Sequence, residues 1–317
     1  METLYVDRRA TRLGFEANAV VIRTGDGGRR TVPLEPLDRI VLRGDAEVST
    51  RLLAECWRRD VGVLLLAGRF AEPTARLLGR PHGDVRRRLA QVDAYADAER
   101  RVAFARELVA AKIAGHRRLL ARLREERPDL RLPLTRGLER LDAALVGLTV
   151  SATTIPELLG REGAAAAAFF EAFTEAFAPA LGFHGRNRRP PTDPVNVVLS
   201  LGYTLVGAEA ARQAQIAGLD PLLGFLHEPA PNRPALAADL TEPLRPHVDA
   251  FALALFRDGE LRADHFGREG EACRMGKAGR ERFYAAWETR TGPIARLLRR
   301  RCRALVRALG EAPEDAP

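Results

Sequence analysis

Apolar residues first recur along this chain in short extended runs and then change to helical spacing. Leu4-Tyr5-Val6, Ala19-Val20-Val21-Ile22, Thr31-Val32-Pro33-Leu34 and Ile40-Val41-Leu42 are rich in β-branched residues, which pack well on a pleated surface. Turn chemistry separates them, as in Gly25-Asp26-Gly27-Gly28 and Arg43-Gly44-Asp45. Residues 49–59 have helical spacing with Ser49 as N-cap, and 61–66 is a continuous apolar strand closed by Gly68. A small β-rich domain with one helix is predicted for 1–80. Gly79-Arg80-Pro81-His82-Gly83-Asp84 then punctuates the chain, placing a linker at about 79–83.

Beyond the linker the pattern is helical throughout. Asp84 caps a long helix predicted to reach about 124, and another covers 135–154. Glu162 opens a helix with Phe169, Phe170, Phe173 and Phe177 on its core face, stopping at Pro179. Asp193-Pro194 is an N-cap followed by proline at the first helical position, starting a helix over 195–217 that ends at Gly218. A further helix follows Asp239, with Leu244, Val248, Phe251 and Leu255 as its buried stripe, and the last spans 278–309. The predicted class is α+β: a small β-rich domain followed by a larger all-helical domain over 84–317, without internal repeats.

Composition adds little to this and charge adds some. The 317 residues are 46% hydrophobic and carry 50 basic against 42 acidic side chains, a net charge of +8 that points to a polyanionic partner. Only Lys112 and Lys277 are lysines, so the excess also reflects an Ala/Arg/Gly/Leu-rich composition typical of GC-rich coding, and charge alone decides nothing. Cys56, Cys273 and Cys302 lack metal-ligand spacing and read as reduced structural thiols. The N-terminus has no secretory apolar region, and the longest clean apolar run, near 61–67, is far too short to span a bilayer. A soluble cytoplasmic protein without a membrane partner is expected.

Four segments concentrate reactive groups. Gly160-Arg161-Glu162-Gly163-Ala164-Ala165 sets a carboxylate among small residues that would let other backbone approach, although Glu162 alone also reads as a first-turn acid favoured by the helix dipole. In Gly185-Arg186-Asn187-Arg188-Arg189-Pro190-Pro191, Arg186, Arg188 and Arg189 precede a helix N-terminus, a place where phosphates bind. His227 ends the apolar run Gly224-Phe225-Leu226 and alone reads equally as a buried, hydrogen-bonded histidine. Asp239 and Glu242, in Asp239-Leu240-Thr241-Glu242-Pro243-Leu244-Arg245-Pro246, are three residues apart, so both carboxylates face one way on a helix and repel unless a cation lies between them. Oxygen ligands plus one imidazole suit Mg²⁺ or Mn²⁺, and such a site activates phosphate esters.

These segments, in this order, resemble the CRISPR-associated spacer-integration endonuclease family, the catalytic subunit of the CRISPR adaptation complex. Leu199-Ser200-Leu201-Gly202-Tyr203-Thr204-Leu205 and Gly218-Leu219-Asp220-Pro221-Leu222-Leu223-Gly224-Phe225-Leu226-His227 extend the match, with a weaker tail at Phe266, Cys273, Gly276 and Arg280. The resemblance implies an N-terminal β-sandwich-like domain that dimerises, and a helical catalytic domain. It places one divalent metal, Mg²⁺ or Mn²⁺, on Glu162, His227 and Glu242, with Asp239 as an acidic neighbour of variable role. It implies duplex and branched DNA as substrates, with the CRISPR repeat and the incoming prespacer as targets, and a small ferredoxin-like adaptation protein as partner. The implied chemistry is transesterification, the 3′-hydroxyl of the incoming duplex attacking a phosphodiester at the repeat edge. Phe169-Phe170, Thr241 and Leu244 depart from commoner residues of the family without removing a ligand.

Arginines form the candidate DNA contacts: Arg186, Arg188, Arg189 and Arg245 near the acids, and Arg296, Arg300, Arg303 and Arg307 along one face of the last helix. Two other readings compete. A related mobile-element integrase would carry a C-terminal DNA-binding module, for which the tail 311–317 is too short. A catalytically silent DNA-binding scaffold would lack a ligand, and Glu162, His227 and Glu242 are all present.

Overall fold

The computed structural model describes the chain apart from Met1, Arg9, 68–71, Pro81, 151–153, Arg188, Arg189, Asn232 and 311–317. Gly68, part of the linker and two of the candidate arginines therefore lie outside the described residues. The chain divides into two compact units. One comprises Met1–Arg88 with Ala211–Leu219 and Trp287–Pro317, the other Leu89–Ala210 with Asp220–Ala286.

The first unit is built on two four-stranded sheets. Strands β1 (Glu2–Val6), β2 (Thr11–Glu16), β3 (Ala19–Thr24), β4 (Arg29–Pro33), β5 (Leu37–Arg43) and β6 (Ala46–Val48) precede helix α1 (Thr50–Arg58), and β7 (Gly62–Ala67) and β8 (Glu72–Leu77) follow it. One sheet has the order β1-β5-β7-β8, with β1, β5 and β7 parallel and β8 antiparallel at the edge. The other has the order β4-β3-β2-β6. Its β2–β3 hairpin turns on Ala17 and Asn18, both at positive φ (47° and 61°), the left-handed pair that a tight two-residue hairpin turn uses. In β2, Thr11, Leu13 and Phe15 alternate inward. Leu4, Val20, Leu34, Ile40, Leu52 and Val63 share the resulting core, which α1 helps close. Ser49 caps α1 as expected, accepting from the Leu52 amide. The sequence did not announce β2, β6 or β8, because Arg12 and Gly14 interrupt the apolar run of β2, β6 is three residues long, and Pro73 sits within β8.

Helices α2 (Arg86–Ala96) and α3 (Ala98–Glu126) replace the single helix expected from residue 84. Asp97 divides them, since its carboxylate caps α3 by accepting from the Glu99 and Arg100 amides. After α4 (Arg131–Val150), α5 (Ile155–Thr174) starts from a capping box in which Thr154 and Glu157 satisfy each other's backbone. Glu162 thus lies inside α5 rather than at its start, which corrects the expected boundary. The next helix, α6 (Pro194–Ile216), follows the Asp193-Pro194 signal as read. Then α7 (Ala235–Thr241) passes through a tight turn, Glu242–Leu244, into α8 (Arg245–Arg257).

The helical region also holds a hairpin, β9 (Phe266–Glu269) with β10 (Ala272–Met275), that the helical periodicity did not reveal. The expected final helix is two, α9 (Lys277–Arg290) and α10 (Gly292–Ala308). Pro293 lacks the N–H that a continuous helix needs there, and takes its favoured place in the first turn of α10 instead. No helix among the described residues is long and apolar enough to cross a membrane.

Candidate functional site

Within the helical unit, the site is organised by a carboxylate that never meets solvent. Asp239, in α7, is fully buried. Its Oδ2 accepts from the Phe225 amide at 2.6 Å and the Leu226 amide at 3.0 Å. Its Oδ1 accepts from the His227 amide at 3.0 Å and from His227 Nδ1 at 2.7 Å. The 224–227 segment is therefore wrapped around one acid, and Gly224 makes the wrap possible. A Cβ there would stand 2.8 Å from the Ala235 carbonyl carbon and 2.9 Å from Asp239 Oδ2. Because a carboxylate only accepts, His227 Nδ1 must donate, which leaves Nε2 as the ring's lone pair.

Glu242 and Glu162 arrive from different elements and share one cation. Glu242 begins the turn between α7 and α8 and is 4% exposed. Lys112 Nζ, from α3, donates to Glu242 Oε2 at 2.6 Å and also to Glu162 Oε1. Arg245 Nε reaches the same Glu242 oxygen at 2.8 Å. Burial opposes ionisation of Glu242, yet Arg245 and then Lys112 outweigh it and hold its pKa at about 2. The three elements meet because α3 comes unusually close to the start of α8. A Cβ on Gly115 would sit 2.7 Å from Pro246 Cγ, so only glycine permits that approach, one turn along from Lys112.

A second polar layer lies beside the first. Tyr203 donates to Asp249 Oδ1 and His116 Nε2 donates to Asp249 Oδ2 at 2.9 Å. Burial pushes the Tyr203 hydroxyl well above its usual range, with Asp249 adding to the rise, so it remains a donor. Burial likewise lowers the pKa of His116, against the pull of Asp249. His116 stacks on Phe169 with ring centroids 3.8 Å apart. Arg245 lies over the Tyr203 ring at 4.4 Å, which links the two layers.

Not every residue singled out from sequence gathers here. Glu162, His227, Asp239 and Glu242 do. Arg186 turns inward: it bonds Asn196 Oδ1 at 2.6 Å and Ser200 Oγ at 3.0 Å, and lies over Tyr203 at 5.4 Å, which ties it to α6. A phosphate contact by Arg245 would have to use its terminal amino groups, since Nε is engaged. Arg188 and Arg189 are outside the described residues. Arg296, Arg300, Arg303 and Arg307 stand with Arg299 on the exposed face of α10, in the other unit, opposite the buried Ile294, Leu298, Cys302 and Val306. The glycines beside Glu162 do not serve close approach, as the reading of the small-residue segment expected. A Cβ at Gly160 or Gly163 would meet nothing within 4 Å, so both glycines face open space. Lys112, His116 and Asp249 were missed. Among the described residues, no group of three or more His, Cys, Asp or Glu side chains stands arranged as a ready metal cage. The two glutamates converge instead on the Lys112 ammonium.

A sheet-built unit followed by a helical one has counterparts among solved structures. A casposase bound to integration product matches at TM-score 0.84 and 22% identity, over 98% of this chain and 92% of that one. A Cas1 protein from Thermotoga maritima matches at TM-score 0.84 and 22% identity, over 100% and 99%. The fold is thus that of the Cas1 and casposase class. The family model for CRISPR associated protein Cas1 matches residues 4–289, and this chain belongs to that family. The CRISPR-associated endonuclease Cas1 1 of Thermodesulfovibrio yellowstonii is 33% identical over 290 residues, 91% of each chain. A Cas4 exonuclease/Cas1 endonuclease fusion of Rhodospirillum rubrum is 36% identical over 299 residues, covering 90% of this chain and 50% of the fusion.

Proposed function

We propose that this chain is a divalent-metal-dependent DNA endonuclease and integrase of CRISPR adaptation, with Glu162, His227 and Glu242 as ligands of one Mg²⁺ or Mn²⁺. One observation carries the reading: two carboxylates from separate elements, the buried Glu242 and the partly exposed Glu162, are drawn to a single cationic point beside an imidazole held by Asp239. Two carboxylates so placed require a positive charge between them, and this donor set fits a hard divalent ion, the imidazole favouring Mn²⁺. Such an ion, when bound, polarises a phosphoryl oxygen and stabilises charge on the attacking and leaving oxygens. Arg245 and Lys112 favour the ionised form of Glu242, the form that ligates. Asp239 is a positioning residue: it fixes the His227 tautomer and ring, as an outer carboxylate does for a ligating histidine.

Substrate DNA follows from the surroundings and the relatives. The Glu162 side chain is 20% exposed and so within reach of a ligand, and the terminal amino groups of Arg245 are donors suited to a phosphate. The endonuclease names of the curated relatives and the integration product held by the casposase support strand cleavage and transfer. A Cas6-RT-Cas1–Cas2 complex with TM-score 0.82 supports assembly with a second, small adaptation protein. Homodimerisation through the β-rich 1–80 domain and action in the cytoplasm complete the proposal.

The test is integration of a short labelled duplex into a supercoiled plasmid with Mn²⁺, in wild type and in Glu162→Ala, His227→Ala and Glu242→Ala. Wild type is expected to join the strands and each variant to fail. Unchanged activity in the variants would remove the metal-site assignment.

A further inference from the structure

Lys112 is the group at this site that the reading above does not employ. It occupies the buried stripe of α3 defined by Ala105, Val109, His116, Leu120 and Leu123, and is 5% exposed. Of the 50 basic residues only it and Lys277 are lysines, and Lys277 is on the surface. Arginine holds carboxylates both here and elsewhere in the chain: Arg245 on Glu242, Arg101 on Glu228, Arg86 on Asp84. A guanidinium is a rigid fork suited to a permanent clamp. An ammonium is a compact charge on a flexible stem, closer in kind to a small hard cation and able to withdraw.

We infer that Lys112 is a resident counter-cation that competes with the divalent metal for Glu162 and Glu242. The inference rests on the metal-site reading. The Lys112 ammonium holds the two carboxylates, from α5 and from the α7–α8 turn, on one point. It swings away when a divalent ion binds, because two cations drawn to the same pair of carboxylates repel. Arg245 holds Glu242 in place throughout by its own bond to Oε2.

Having only two lysines makes the exchange observable without any activity assay. With lysine ε-carbons labelled in the full-length protein, two signals are expected, and Lys277→Arg assigns them. During a Mg²⁺ titration the Lys112 signal is expected to move along the isotherm measured by calorimetry, while that of Lys277 stays. Lys112→Met, which removes the competitor, is expected to bind Mn²⁺ about tenfold more tightly than wild type, and Lys112→Arg more weakly. A heat of Mg²⁺ binding with an unmoved Lys112 signal overturns the inference. So does an unchanged or weaker Mn²⁺ affinity in Lys112→Met. Should that variant not fold, the wild-type titration and Lys112→Arg decide alone. No heat of binding in wild type would instead remove the metal site, and this inference with it.

Discussion

Asp239 and Glu242 stand three residues apart on adjoining turns, and the regions they serve are opposite in kind. Around Asp239, four N–H donors converge on one carboxylate, three of them backbone amides, and the acid is fully buried. Around Glu242 the partners are the side chains of Lys112 and Arg245. A carboxylate saturated by fixed backbone donors has nothing left to offer a ligand and serves as architecture. One neutralised only by side-chain cations can exchange a partner. The same residue chemistry thus becomes scaffold or reagent according to what faces it.

Substitutions that keep shape and remove charge test this division most strongly. Glu242→Gln and Glu162→Gln are expected to cut Mn²⁺-dependent strand transfer by on the order of 10²–10³, because ligands that stabilise transition-state charge are lost. Both variants are expected to keep the wild-type fold by circular dichroism. Asp239→Asn should cost less in rate, about 10–100-fold, as outer partners of metal ligands do. It should cost more in stability, because the amide cannot accept all four N–H groups and its NH₂ meets donors. Comparing melting temperatures with strand-transfer rates across the three variants would show the two roles; a Glu242→Gln protein less stable than Asp239→Asn would reverse the assignment.

Gly224→Ala probes the scaffold without touching any charge. Its Cβ would enter the space between Ala235, Asp239 and the His227 carbonyl, so a loss of about 1–3 kcal/mol in unfolding free energy is expected. Gly163→Ala, which meets open space, serves as the control and is expected to be at least as stable as wild type in the same denaturant titration.

How much of this was legible in the sequence differs between the two regions. The ordered motifs placed Glu162, His227 and Glu242 together, and the structure brings all three to one neighbourhood. The part played by Asp239 was hidden, because its partners are backbone amides delivered by a loop, and side-chain type carries no record of them. Lys112 and His116 left a signal that went unread: both fall on the same 3.6-period stripe as Val109, Leu120 and Leu123, so a lysine and a histidine occupy core positions of a long helix. Charged residues on an apolar stripe require buried partners. Helix ends were less legible than helix faces, since Asp97 and Pro293 each divide a run whose periodicity continues across the break.

His116 extends the comparison to pH. Its folded pKa is below the ordinary 6.5, burial being the larger cause. Below that value the unfolded chain takes up a proton that the folded one refuses, so stability is complete above about pH 6.5 and falls as pH drops. A slope of up to about 1.4 kcal/mol per pH unit from this residue is expected as pH falls below 6.5. The denaturation midpoint of His116→Gln should change less steeply over the same window; equal slopes would mean that His116 is protonated in the fold.

The smallest expected effect lies in the other unit and concerns position rather than chemistry. On α10 the exposed face carries Arg296, Arg299, Arg300, Arg303 and Arg307, and the helix sequence contains no acidic residue to neutralise them. Arg186 and Arg245, by contrast, are engaged inside the fold. If the α10 face meets the DNA backbone, each arginine removed should release one phosphate contact and reduce the salt slope of binding by about 1, with little change between DNA sequences. Arg300→Gln and Arg303→Gln together are expected to lower the slope by about 2 in a duplex-binding titration across salt concentrations, while strand transfer at saturating DNA stays near wild type. An unchanged slope would remove the α10 face from the DNA contacts, because phosphate neutralisation is what the slope counts.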